Sequence, residues 1–207
     1  NYVNAPFYTN HDIPRSAGYY SGEHRVDQIK LAGAMNLLMT GNAFIYYGEE
    51  LGMKGSGRDE NKRAPMQWAK DGSAAGMCKG PKDMEEFEMM YGTLEEQAED
   101  KNSIYNYYKD AIKLRHSFPV IARGKTKLYD GFENLDSDTV SAFTRNMSDD
   151  SYESVLVVIN TSENNISLKP GKDYTKLGSS LVTGEEEVTI KDGTLNIPSF
   201  GIAILTH

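Results

Sequence analysis

Apolar and polar positions follow two different rhythms along this chain, and the rhythm changes near residue 124. Upstream, short apolar runs alternate with stretches whose apolar residues recur at helical spacing. The order is a strand over 5–9 (APFYT), a helix over 26–41, a strand over 43–47 (AFIYY), a long irregular loop, and a helix over 102–118. Ile29, Ala32, Leu37 and Leu38 lie roughly on one face of the first helix, and Gly41 stands where a C-cap is expected. The second helix carries Ile104, Tyr107, Tyr108, Ala111, Ile112 and Leu114, and Pro119 follows its end. Strand, helix, strand, helix is the order of a parallel α/β sheet.

From Gly124 onward the helical rhythm is lost. Seven strand-like runs follow, KTKLYD, TVSAFTR, ESVLVVIN, NISL, EVTI, TLNI and FGIAIL, separated by Gly, Asn, Asp and Ser turns. SVLVVIN and FGIAILT are the most apolar and are expected in the centre of a sheet. Short strands at this spacing predict an antiparallel β-sandwich. The fold class is therefore α/β followed by all-β.

Composition narrows the function. The 207 residues are 39% hydrophobic and 25% charged, ordinary for a globular protein, and the net charge of −8 argues against an electrostatic nucleic-acid binder. No apolar stretch approaches the roughly 20 residues that span a bilayer, so no membrane partner is expected. Cys78 is the only cysteine and forms no internal disulfide, which leaves cellular location open. The acidic run over 84–100 reads as a solvated helix or loop.

Candidate chemistry gathers where the strands end. APFYT runs into Asn10, His11 and Asp12, just ahead of Pro14. An Asp before a proline often only turns the chain. In a barrel of parallel strands, however, the C-terminal strand ends carry the active site. A carboxylate beside an imidazole there can stabilise positive charge on a substrate or hold hydroxyls, which sugars present in vicinal pairs. AFIYY ends in Glu49 and Glu50 at the same mouth, and both are expected as ion-pair partners that shape the loop. In the loop, KRAPMQW (62–68) holds the only tryptophan. Arg63 offers a fork for a carboxylate or for sugar oxygens, whereas Pro65, Met66 and Trp68 are expected to plug the loop onto the rim.

FYTNHDIPR, AFIYYGEELGM, RAPMQW and QAEDKNSIYNYYKDAIKLRHSFPVIARG, in that order, resemble the end of the α-amylase family of glycoside hydrolases. The likeness is nearest to oligo-1,6-glucosidases, α-glucosidases and related α-amylases and covers most of residues 5–124. The closing IPSFGIAIL is similar to the last strand of that family's C-terminal domain.

The resemblance implies that residues 1–124 are the C-terminal part of a catalytic TIM (β/α)8 barrel, its last two βα units, with APFYT and AFIYY as seventh and eighth strands. Residues 125–207 are then the β-sandwich C-terminal domain. Asp12 matches the carboxylate that stabilises the oxocarbenium-like transition state, and His11 matches a histidine that hydrogen-bonds the same sugar. Asn10 stands beside them as a substrate-binding candidate, and Arg63 matches an arginine that reaches the non-reducing sugar. The implied parent reaction is retaining hydrolysis of α-glucosidic bonds in starch-type glucans or in malto- and isomalto-oligosaccharides.

That family carries its nucleophile and its acid/base at the ends of the fourth and fifth strands, upstream of everything present. DGFENLD (130–136) echoes the nucleophile block, but Glu133 stands where an arginine belongs and the run follows the Asn-His-Asp block instead of preceding it. It reads better as strand and turn. The chain alone is accordingly expected to be inactive, a C-terminal piece whose partner is the missing N-terminal part of the barrel. Two strands do not close a barrel, so exposed edges are expected to drive self-association. Calcium is left open for the parent, as several family members bind it. Along these residues no run of oxygen ligands has calcium spacing, and no metal or other cofactor is expected. The alternatives are a non-enzymatic glucosidase-like protein and a carbohydrate-binding module. Against the module, residues 125–207 hold no tryptophan and only scattered aromatics such as Tyr129, Tyr152 and Tyr174.

Overall fold

A computed structural model describes residues 3–71, 76–85, 89–132, 135, 138–147 and 154–207. Glu133, Tyr152 and residues 86–88 of the acidic run lie outside the described residues. The chain divides into two compact units. One comprises Pro6–Leu37 and Ala43–Asp110, the other Asn1–Ala5, Leu38–Asn42 and Ala111–His207.

The first unit is helical and loop-rich. It contains α1 (Ser16–Tyr19), α2 (Arg25–Leu37), a 3₁₀ turn (Glu49–Leu51), α3 (Asp59–Lys62), α4 (Leu94–Glu99) and the first half of α5 (Ile104–Ser117). Helical spacing decides what is buried: Ile29, Ala34 and Leu37 of α2, and Ile104, Tyr107 and Tyr108 of α5. Gly33 carries a requirement that propensity would oppose, since a Cβ there would lie 2.2 Å from the Tyr108 ring. The two helices meet this closely because that side chain is missing. Leu51, Met53 and Ala64 form a second apolar cluster, joined by Met66, Met84, Met89, Leu94 and Tyr105. Gln97, buried on α4, ties this cluster together. Its amide donates to the Leu51 carbonyl at 2.9 Å, and its oxygen accepts the Tyr105 N–H at 3.1 Å.

Neither the run over 5–9 nor that over 43–47 is a strand among the described residues. The Phe44 N–H donates to the Pro6 carbonyl at 2.9 Å, but Pro6 has no N–H with which to continue a ladder. A parallel pair without flanking neighbours is also weak per residue.

The second unit holds the sheets. Helix α2 stops four residues short of the expected Gly41, and Gly41 makes a turn at φ +89° instead. A Cβ at Gly41 would strike the Asn4 carbonyl oxygen at 2.0 Å. Two arginines cap the carbonyls of this turn. Arg145 donates to Leu38 O at 2.8 Å, while Arg115 donates to Met39 O at 2.6 Å and also to Gly41 O. Burial, then the Arg115 charge, lowers the Arg145 guanidinium to about 10.

Helix α6 (Pro119–Arg123) starts at the proline expected only to end α5, because Pro fits the first helical position. Eight strands follow among the described residues: β1 (Lys125–Leu128), β2 (Val140–Asn146), β3 (Ser154–Asn160), β4 (Ile166–Leu168), β5 (Lys176–Leu181), β6 (Thr189–Lys191), β7 (Thr194–Ile197) and β8 (Ile202–Thr206). They form antiparallel sheets ordered β1-β2-β3-β8-β5 and β4-β7-β6. β3 and β8 are interior, as their apolarity predicted. β5 was not legible: KLGSSL lacks β-branched residues, and its register shifts between Leu177 and Ser179, around Gly178.

One core draws on both sheets, with Ala142, Leu156, Val158, Ala203 and Leu205 from the larger and Leu168, Leu195 and Ile197 from the smaller. Leu156 is fully buried within it. Leu156→Ala is expected to lower unfolding free energy by about 3 kcal/mol, from lost transfer energy plus the cavity left behind. Urea denaturation checks this as a fall in midpoint at unchanged slope. No helix among the described residues is long and apolar enough to cross a membrane.

Candidate functional site

All the candidate side chains from the upstream motifs lie in the helical unit. Asn10 builds the turn that presents them: its Oδ1 accepts the N–H of Asp12 at 2.8 Å and of Ile13 at 3.1 Å. The turn-forming role open to Asp12 thus falls to Asn10, and the Asp12 carboxylate is left to face outward. Its side chain is 62% exposed, and Arg63 Nη2 donates to its Oδ1 at 3.0 Å. His11 Nε2 stands 3.4 Å from Asp12 Oδ2. On the far side, Arg63 Nη1 lies 3.9 Å from Asp59 Oδ2, and Lys62 Nζ donates to Asp59 Oδ1 at 2.8 Å. Charges therefore alternate in sign from Asp12 through Arg63 and Asp59 to Lys62. The Lys62 hydrogen bond and charge, helped by Arg63 and His11, hold the Asp59 carboxyl below its usual range. An exposed pair such as Asp12–Arg63 is worth under about 1 kcal/mol, so an incoming ligand can open it cheaply.

The support beneath this row comes from AFIYYGEE. The hydroxyls of Tyr46 and Tyr47 donate to the carbonyls of Lys62 and Ala64 at 2.9 and 2.8 Å, which pins the backbone on either side of Arg63. Burial, with the adjacent Tyr47, pushes Tyr46 up to about 12. The buried Arg15 guanidinium lies 4.7 and 4.8 Å from the centres of the same two rings, and its Nε donates to the Tyr47 carbonyl at 2.8 Å. Its Nη1 and Nη2 have no hydrogen-bond partner, so the ring faces take the place of acceptors.

Glu49 corrects an expectation. It shapes the loop, but through neutral donors rather than an ion pair. Its Oε1 accepts from the Thr9 hydroxyl at 2.7 Å and the Ser16 N–H at 3.0 Å. Its Oε2 accepts from the Tyr8 hydroxyl at 3.0 Å and from the Ser16 hydroxyl. The Tyr8 and Tyr108 hydroxyls lie 3.1 Å apart, and burial followed by charge repulsion raises both phenols. Glu50 Oε2 accepts the Gly48 N–H at 2.9 Å, and burial raises its carboxyl above the ordinary value. Met66 packs against the Leu51–Met53–Ala64 cluster, and the Trp68 carbonyl accepts the Glu95 N–H at 3.0 Å.

Sequence reasoning singled out His11, Asp12 and Arg63, which the structure brings together, but not Tyr8, Tyr46 and Tyr47 beneath them. Three tyrosines beside the two motif ends were the available signal. Among the described residues no group of three or more His, Cys, Asp or Glu side chains converges to hold a metal ion.

The model of the α-amylase catalytic domain matches residues 1–124. Alpha-amylase 3 of Dictyoglomus thermophilum is 34% identical over 125 residues, covering 60% of this chain and 25% of that protein. The probable oligo-1,6-glucosidase 3 of Bacillus subtilis is 32% identical, covering 60% of this chain and 29% of its own length. Among solved structures, Amy13B of Eubacterium rectale superposes with a TM-score of 0.89 at 43% identity, over 99% of this chain and 39% of that one. The chain thus spans roughly a quarter to two fifths of the length of these relatives.

Proposed function

The chain belongs to the α-amylase family of glycoside hydrolases, and from that premise we propose that it is the C-terminal part of a retaining enzyme acting on α-glucosidic bonds. In this reading residues 1–124 complete a (β/α)8 barrel and residues 125–207 form a β-sandwich domain. The remainder of the barrel supplies the aspartate nucleophile and the glutamate acid/base, about 5–5.5 Å apart in retaining enzymes. The acid protonates the departing glycosidic oxygen as the anomeric carbon–oxygen bond breaks. The nucleophile bonds to that carbon, and water then releases the sugar with its configuration retained.

The present residues act on the charge that develops in between. The Asp12 carboxylate stabilises the oxocarbenium-like ring electrostatically, and His11 donates to a hydroxyl of the same sugar. Arg63 swings from Asp12 to the sugar's oxygens, and Asn10 holds the turn at contact distance from the substrate. One observation carries this reading: an exposed Asp12 with Arg63 at 3.0 Å and His11 at 3.4 Å, at the end of the 5–9 run. The substrates are malto- or isomalto-oligosaccharides, or the glucans they come from. The exposed Phe7 and Phe44 are then covered by the rest of the barrel.

Proton NMR of maltotriose and isomaltose incubated with the complete protein tests this. The expected first product is the α-anomer. A β-anomer, or no cleavage of either sugar or of soluble starch, overturns it.

A further inference from the structure

We propose that Glu49 is the positioning residue for Asp12, a buried clasp that closes both ends of the loop carrying it. This rests on the hydrolase reading above and goes one layer below it.

Thr9 is the last residue before Asn10, and Ser16 is the first after Arg15. Both donate to the same carboxylate, Thr9 through its hydroxyl and Ser16 through its N–H and its hydroxyl. Both ends of the loop over 10–15 therefore meet on one side chain, and at the far end Arg15 adds its own bonds to the Lys54 and Tyr47 carbonyls at 3.0 and 2.8 Å. The clasp is itself anchored, because Tyr8 bridges Glu49 Oε2 to the Tyr108 hydroxyl of α5. Glu49 is fully buried and its donors are neutral, so solvent does not loosen these bonds and no cation is needed to hold them.

Asp12, in contrast, is held at its tip only by exposed contacts to Arg63 and His11. A sugar entering the site must break the Arg63 contact. What keeps the Asp12 backbone in register at that moment is the turn made by Asn10 and, behind it, the clasp together with the Arg15 bonds. Misplacing a reacting group by about 1 Å can cost on the order of 100-fold in rate. Glu49→Gln preserves shape but removes the charge, and its NH₂ group is satisfied only if the Tyr8 and Ser16 hydroxyls turn to accept, so charge-assisted bonds become weaker neutral ones and the clasp loosens.

Two measurements on Glu49→Gln test this. In the complete protein, kcat on the cleaved oligosaccharide is expected to fall about 10- to 100-fold with KM changed by less than about threefold. In the 207-residue chain, amide hydrogen exchange is expected to quicken at least about tenfold at Asp12, Ile13 and Ser16 and to stay unchanged in β3. Thr9→Val, which leaves the charge in place, is expected to quicken exchange at the same three amides to a smaller degree. Combined with Glu49→Gln it should add less than its separate effect.

Unchanged exchange in the loop in both variants overturns the clasp, as does an unchanged kcat in a wild-type-active protein. If Glu49→Gln quickens exchange everywhere, Thr9→Val decides, and a loop no faster than wild type overturns the proposal. A complete wild-type protein with no activity, alongside selective loop opening, would defeat the hydrolase reading and leave the clasp standing.

Discussion

The 207-residue chain, purified free of host amylase, is expected to release no glucose from maltose, isomaltose or a nitrophenyl α-glucoside. Glycosyl transfer with retention needs one carboxylate to attack and another to protonate, and loss of either commonly removes several powers of ten in rate. The carboxylates described here have other work. Asp59 is held by Lys62 and Arg63, Glu49 is buried under four donors, and Glu50 accepts from the Gly48 N–H. Asp12 faces outward beside His11, and a single carboxylate can steady a cationic ring without being able to make one. The check is a coupled glucose assay over hours at micromolar chain. Release proportional to chain concentration would overturn the expectation, and release that appears only in the complete protein would support it.

In that complete protein, Asp12→Asn is expected to lower kcat by about 100- to 1,000-fold, the loss typical of removing a preorganised group aimed at transition-state charge. Asn keeps the size and the turn around Asn10 but carries no charge, so substrate should still bind and KM should move much less than kcat. Stability should hardly change, because the Asp12–Arg63 pair is solvent-exposed. Steady-state kinetics and a thermal melt on the same preparation separate these effects. A kcat within tenfold of wild type would remove Asp12 from the chemistry, and a large drop in melting temperature would make it structural.

How far the sequence could be read depended on what each element rests on. Helices α2 and α5 were legible because a single buried face repeats at helical spacing, and β3 and β8 because an interior strand is apolar throughout. The runs over 5–9 and 43–47 carry the composition of strands. Ladder pairing is a property of neighbours, however, and Pro6 with one partner run is too little to sustain it. β5 was hidden for the opposite reason, since Gly178 and two serines suit a register shift and advertise nothing. In the candidate site, Asp12, His11 and Arg63 were picked out by motif, and the structure places them side by side. The Glu49 clasp was not, because an acidic residue in a loop looks the same whether lysine or hydroxyls surround it. Only burial, with Tyr8, Thr9 and Ser16 converging on it, tells the two apart.

The two margins of the five-stranded sheet bear on how this unit behaves at high concentration. Among the described residues β1 pairs only with β2, and β5 only with β8. β1 is exposed at every position and carries Lys125 and Lys127, while β5 begins with Lys176 and is kinked beside Gly178. A neighbouring copy trying to extend the sheet would meet ammonium groups on one side and a mismatched backbone on the other. Fibre-like stacking should therefore be resisted at the charged and irregular edges of the β-unit, and clumping of the isolated chain should be traced to exposed apolar side chains such as Phe7, Phe44 and Leu128.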